Sequence, residues 1–128
     1  MKLVRQETMM GCSVACVASI LNTSYSAALE LFTKGNKHHH LRGFYNRDII
    51  KALSEIGKEY ESYKVKNYNY SSGDIVFARN KKYGSGHYLL KTENGWMDPW
   101  VNYPDIKIKS GYRKRLPGKP QWKITEVR

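Results

Sequence analysis

Four residues carry the chemistry that this sequence suggests: Cys12, His87, Asp98 and Gln6. A cysteine attacks as its thiolate, and the positive end of a helix dipole lowers its pKa. Cys12 directly precedes the apolar run Val14, Val17, Ala18 and Leu21, whose spacing predicts a helix with the thiol at its N-terminus. Gly11 is expected to let the backbone turn sharply there and to leave room for a substrate. Cys16, one turn later on the same face, should pack in the core. His87 follows Gly84-Ser85-Gly86 at the start of an expected strand and can act as the base. Asp98 closes the hairpin that His87 opens, at the end where a carboxylate can orient the imidazole. Gln6 can aim its amide at an oxyanion, with the Cys12 backbone N–H as second donor. Together they fill the roles of nucleophile, base, orienter and oxyanion donor, the requirements of thiol-mediated acyl transfer.

The elements that must position these groups divide the chain in two. The first half is helical in pattern. After the Cys12 helix, Ser24 or Ser26 caps a second one through Ala27, Ala28, Leu29, Leu31 and Phe32, stopped by Gly35. Asn46 is the expected N-cap of a third, with Ile49, Ile50, Leu53 and Ile56 as its stripe and Gly57 at its end. The second half changes period. Residues 60–65 alternate loosely, Ile75 to Ala78 form a short apolar run, and Asn94-Gly95 joins two strands in the clearest hairpin. Ile106 and Ile108 alternate with lysines, and Trp122 to Val127 predict a last strand. Helices followed by an antiparallel sheet make an α+β plan.

At 128 residues the chain fits one domain, 1–128, with enough length to bury a core. Two cysteines exclude a disulfide scaffold, and no run of 18 apolar residues exists to span a membrane. Charge is uneven: residues 1–64 hold 9 basic and 6 acidic side chains, and residues 65–128 hold 13 and 5. The basic half suits an acidic protein, such as an inhibitor or immunity protein, or a nucleic acid. Lys2 and Arg5 ahead of Met9 to Leu21 imitate a secretion signal, but no A-x-A cleavage site follows, and the segment reads as a helix of the mature protein. A cytoplasmic site of synthesis is expected, with any delivery elsewhere independent of an N-terminal signal.

The segment from Gln6 to Leu21, with Gly86-His87-Tyr88 and Asp98-Pro99 behind it, resembles the papain-like cysteine peptidases. It is most similar to the bacterial double-glycine leader peptidases that process bacteriocin precursors, over roughly residues 4–100. Gly11-Cys12-Ser13 stands where that family usually has Asp-Cys-Gly. The resemblance implies a papain-like α+β fold, a helix bearing Cys12 packed on a sheet bearing His87 and Asp98, and Gln6 in the oxyanion hole. It implies a peptide or protein substrate, no cofactor and no metal. Relatives on this fold include glutamine deamidases and transglutaminase-like toxins, so the acyl acceptor stays open. The basic region from about residue 105 reads as an extension beyond the family's extent.

Other motifs carry competing readings. His38-His39-His40 could bind a metal, but adjacent residues on regular structure cannot all face one ion, and an exposed loop is expected. The run from Lys107 to Arg115 interleaves cations with aromatics, as single-strand nucleic-acid platforms do, although charged runs are usually solvated faces. Trp96 and Trp100 flank Asp98, where one of them could shield the acid from water. The rivals to a peptidase are therefore a papain-fold toxin that acts on nucleic acid or deamidates a protein, and a non-catalytic module for an acidic partner.

Overall fold

A computed structural model describes residues 1–33, 43–84 and 86–127. Gly35, His38-His39-His40 and Ser85 lie outside the described residues. Three helices come first: α1 (Cys12–Leu21), α2 (Tyr25–Thr33) and α3 (Asn46–Ser54). Six strands follow: β1 (Tyr60–Lys64), β2 (Ile75–Arg79), β3 (His87–Thr92), β4 (Gly95–Asp98), β5 (Gly111–Arg113) and β6 (Lys119–Glu126). They form one sheet in the order β1-β6-β2-β3-β4-β5, with every neighbouring pair antiparallel.

The helix ends follow from local chemistry. α1 stops where Asn22 takes a left-handed conformation and Thr23 N–H bonds the Ala18 carbonyl, which satisfies an otherwise orphaned acceptor. Ser24, of the two serines expected, caps α2 by accepting from Ala27 N–H. Asn46 is not the N-cap of α3. Tyr45 holds that position, its N–H donating to Asp48, while Asn46 accepts from the Tyr88 hydroxyl at 2.6 Å. Gly57, at φ +79°, closes the turn beyond α3, where Lys58 N–H reaches the Leu53 carbonyl.

α1 is enclosed by α2, α3 and β3, so seven consecutive residues from Ser13 to Ser19 are buried. One core joins Val14, Val17 and Ala18 to Ile49 and Leu53 of α3 and to Ile75, Leu90, Met97 and Ile124 of the sheet. The opposite sheet face carries a smaller cluster of Val76, Ala78, Leu89 and Trp96. The sheet has apolar side chains on both faces because β2 and β3 are covered on both, and their sequences read as nearly continuous apolar runs.

Three sequence expectations change here. Asn94-Gly95 is not the pair that joins the two strands: Glu93 and Asn94 form the loop, while Gly95, at positive φ, already pairs with Thr92. Ile106 and Ile108 form no strand; Ile106 is 95% exposed on a loop pinned by Asn102 and Asp105. The basic region from about residue 105 is no extension either. It supplies edge strand β5 and, in β6, a strand that lies between β1 and β2.

Candidate active site

Cys12 is the first residue of α1, whose N-cap Gly11 has no side chain to bond the first N–H groups and whose first turn holds no acid. Uncapped N–H groups and the dipole therefore bear on the thiol. Gly11 plays a different part from the one expected. Its φ of −95° suits any residue, but a Cβ there would lie 2.1 Å from the Tyr25 hydroxyl. Tyr25, rather than a substrate, occupies the space.

His87 begins β3, and its Nε2 lies 2.7 Å from Asp98 Oδ1. Residue 98 on β4 is diagonal to His87, since Leu90 opposes Met97, and both project from the same sheet face. With Nε2 engaged by the carboxylate, Nδ1 is the ring nitrogen left for the thiol, and Cys12 lies near enough for thiol and imidazole to shift each other's pKa.

Electrostatics follow from these contacts. Burial pushes the Cys12 thiol up; the His87 hydrogen bond and charge, helped by the backbone at Tyr88 and Ser13, outweigh it and hold the thiol below its ordinary 9.0. Burial pushes the His87 imidazole down, but Asp98 and Cys12 raise it to about 9. Burial pushes Asp98 up; hydrogen bonds from His87, Arg113 and the Trp100 backbone bring it below 3.8. These directions favour a thiolate–imidazolium pair. Cys16, fully buried, has its thiol driven well above 9.0 by desolvation and by the charges of Cys12 and Asp98, and is chemically quiet.

Asp98 is fully buried and every group around it donates. His87 and the Trp100 N–H, at 2.9 Å, share Oδ1, while Arg113 Nε bonds Oδ2 at 2.6 Å. Arg113 was not singled out by sequence reasoning. It sits inside a run of basic residues, and the one signal was its place in the short alternating stretch Gly111-Tyr112-Arg113. A second Arg113 bond, from Nη2 to the Val101 carbonyl at 3.0 Å, fixes the guanidinium. Tyr83 lays its ring on His87, with centroids 4.8 Å apart, and Tyr103 and Trp100 extend the aromatic wall. Of the two flanking tryptophans, Trp100 borders the His87–Asp98 pair and Trp96 belongs to the outer cluster.

Gln6 is 1% exposed and is brought beside this pair by its backbone N–H on the Pro99 carbonyl. Its amide, however, faces the loop before Cys12: Nε2 donates to the Thr8 and Met9 carbonyls at 2.9 and 3.1 Å. Its Oε1 is buried with no hydrogen-bond partner among the described residues, as is Ser13 Oγ near the same helix start. Among the described residues no three His, Cys, Asp or Glu side chains gather as a metal site, and no single helix is long and apolar enough to cross a membrane.

No family model and no curated protein matches this sequence. The fold does match solved structures. The peptidase domain of Streptococcus ComA, described as a bi-functional ABC transporter involved in a quorum sensing pathway, aligns with TM-score 0.54 and 22% identity over 98% of this chain and 97% of that one. The peptidase domain of Streptococcus mutans ComA aligns with TM-score 0.51 and 20% identity over the whole of both chains. The architecture is thus α+β and papain-like, three N-terminal helices on a six-stranded antiparallel sheet. The likeness runs past residue 100 to include β5 and β6.

Proposed function

We propose that this chain is a cysteine-dependent amide hydrolase, a peptidase acting on a peptide or protein with Cys12 as nucleophile. One observation carries the reading: a single imidazole, His87, is hydrogen-bonded to the Asp98 carboxylate and sits close enough to Cys12, at the start of α1, for its charge to act on the thiol. The shared fold with peptidase domains supports it.

In this reading the Cys12 thiolate attacks the amide carbonyl carbon, and the carbonyl oxygen becomes an oxyanion. The backbone N–H groups at the start of α1 hold that charge, and Gln6 Nε2 joins them on releasing one of its two loop carbonyls. The His87 imidazolium gives its proton to the amide nitrogen, the C–N bond breaks, and the amine departs. Water then attacks the thioester with His87 as base, releasing the carboxylic acid and restoring the thiol. Asp98 keeps the ring oriented and its charge supported, while Arg113 and the Trp100 N–H hold Asp98 in place.

The test is the pH profile of iodoacetamide reaction at Cys12. An activated thiol reacts well below pH 8, and His87→Ala shifts the profile up by one unit or more. An ordinary thiol profile, untouched by His87→Ala, would overturn the proposal.

A further inference from the structure

The outer face of the sheet holds a groove of about 560 Å³ to which separate segments each bring a cation: Lys91 from β3, Lys114 and Arg115 from the loop after β5, and Lys119 from β6. Its floor is aromatic, with Tyr70 set edge-on to Trp96 and Tyr68 at the rim. No carboxylate lines it, and Lys114, Arg115 and Lys119 form no ion pair with any described residue. Gathering like charges from distant parts of the chain opposes folding through self-repulsion, and a bound polyanion removes that cost. A second groove, of about 440 Å³, lies further along β6 and adds Lys64, Lys66 and Lys123, again without an acid. Lys119 and Lys123 are roughly 13 Å apart along the strand.

The same packing sorts the basic run of residues 107–115. Lys107 and Lys109 lie on a loop whose backbone N–H groups are tied to Asp105 and Asn102. Arg113 turns inward to Asp98, and only Lys114 and Arg115 reach the groove.

We propose that this face is a binding site for single-stranded nucleic acid, independent of the amide-hydrolase reading. Phosphates suit the spaced cations. Tyr68, 73% exposed beside them, offers a ring face on which a base can stack. Trp96 is buried, with Lys91 Nζ 5.6 Å from its ring centre, so the groove lacks the open apolar centre that an acidic protein partner would need. A duplex hides its base faces and has no use for Tyr68. A pI near 9.7 for the whole chain agrees with a nucleic-acid footprint.

Fluorescence anisotropy of the Cys12→Ala chain with a labelled single-stranded RNA of about twelve nucleotides tests this. Neutralising four phosphates gives a slope of log K against log salt of about −3. The double substitution Lys114→Glu and Arg115→Glu should roughly halve that slope and weaken binding at least tenfold. Tyr68→Ala should weaken it about tenfold with the slope unchanged. In the Cys12-containing chain, all three substitutions should leave Cys12 alkylation as it was, which shows the fold intact. Equal or tighter binding of a duplex, tighter binding of polyglutamate, or a salt slope unmoved by the charge reversal would each overturn the site.

Discussion

Replacing Asp98 by asparagine is a near-isosteric change that this site should refuse. The carboxylate accepts from three donors, His87 and the Trp100 N–H on Oδ1 and Arg113 on Oδ2. An amide supplies one acceptor and one donor, so one side of residue 98 must set donor against donor. A charge-assisted bond is worth about 1.5–3 kcal/mol, and a buried donor left unpaired costs about 1–3 kcal/mol more. A loss of about 3 kcal/mol follows, which in a chain of this size is a fall in Tm of about 12 °C. Arg113→Met should cost about 2 kcal/mol by taking one donor from a buried carboxylate. In the double variant the amide can turn its NH2 to the vacated side and keep its oxygen for His87 and Trp100. The two losses should then fall short of adding by about 2 kcal/mol. Urea denaturation of the four proteins measures this directly. Losses that add to within about 0.5 kcal/mol would refute the three-donor account of Asp98. Asp98→Asn should also let burial bring the His87 pKa down from about 9 and raise the pH at which Cys12 is alkylated.

Three further outcomes are expected. Gly11→Ala should cost about 1–3 kcal/mol because its Cβ meets the Tyr25 hydroxyl, and Tyr25→Phe in the same chain should recover most of the Tm; no recovery would remove that contact as the cause. Cys16→Ser buries a hydroxyl in the apolar core and should lower stability by about 1–3 kcal/mol while leaving Cys12 alkylation unchanged; slower alkylation would contradict a purely packing role. Asp98 titrates below 3.8 in the folded chain, so its stabilising contribution is complete above that pH and is lost as pH falls through the folded value. The Tm gap between the native chain and Asp98→Asn should therefore hold steady from pH 5 to about 4 and narrow in stronger acid; a gap that stays constant into acid would place the Asp98 contribution elsewhere.

What the sequence disclosed was local. The apolar spacing of α1 and the loop-and-strand pattern around Asn94-Gly95 are short-range signals, and they sufficed to put Cys12 on a helix start and to bring Asp98 within reach of His87. Partners set by long-range packing were hidden. Arg113 looks like any member of a basic run, and only the pairing of β5 with β4 turns it toward Asp98. Gln6 hydrogen-bonds the loop before Cys12, and the direction of its amide depends on the path of residues 7–10, which no periodicity encodes. Gly11 was assigned to substrate access because the sequence could not show that Tyr25, from the next helix, fills the space.

The sixth strand lies between the first and second, and pairs with both. A ribosome therefore releases β1 well before it releases the strand that joins β1 to the rest of the sheet. Contacts so far apart in sequence close late and slowly. Synthesis order thus keeps β1 apart from the sheet until the chain has emerged through residue 126, whereas a nascent chain arrested near residue 118 would already carry β2, β3, β4 and β5, which pair with one another and bear His87, Asp98 and Arg113.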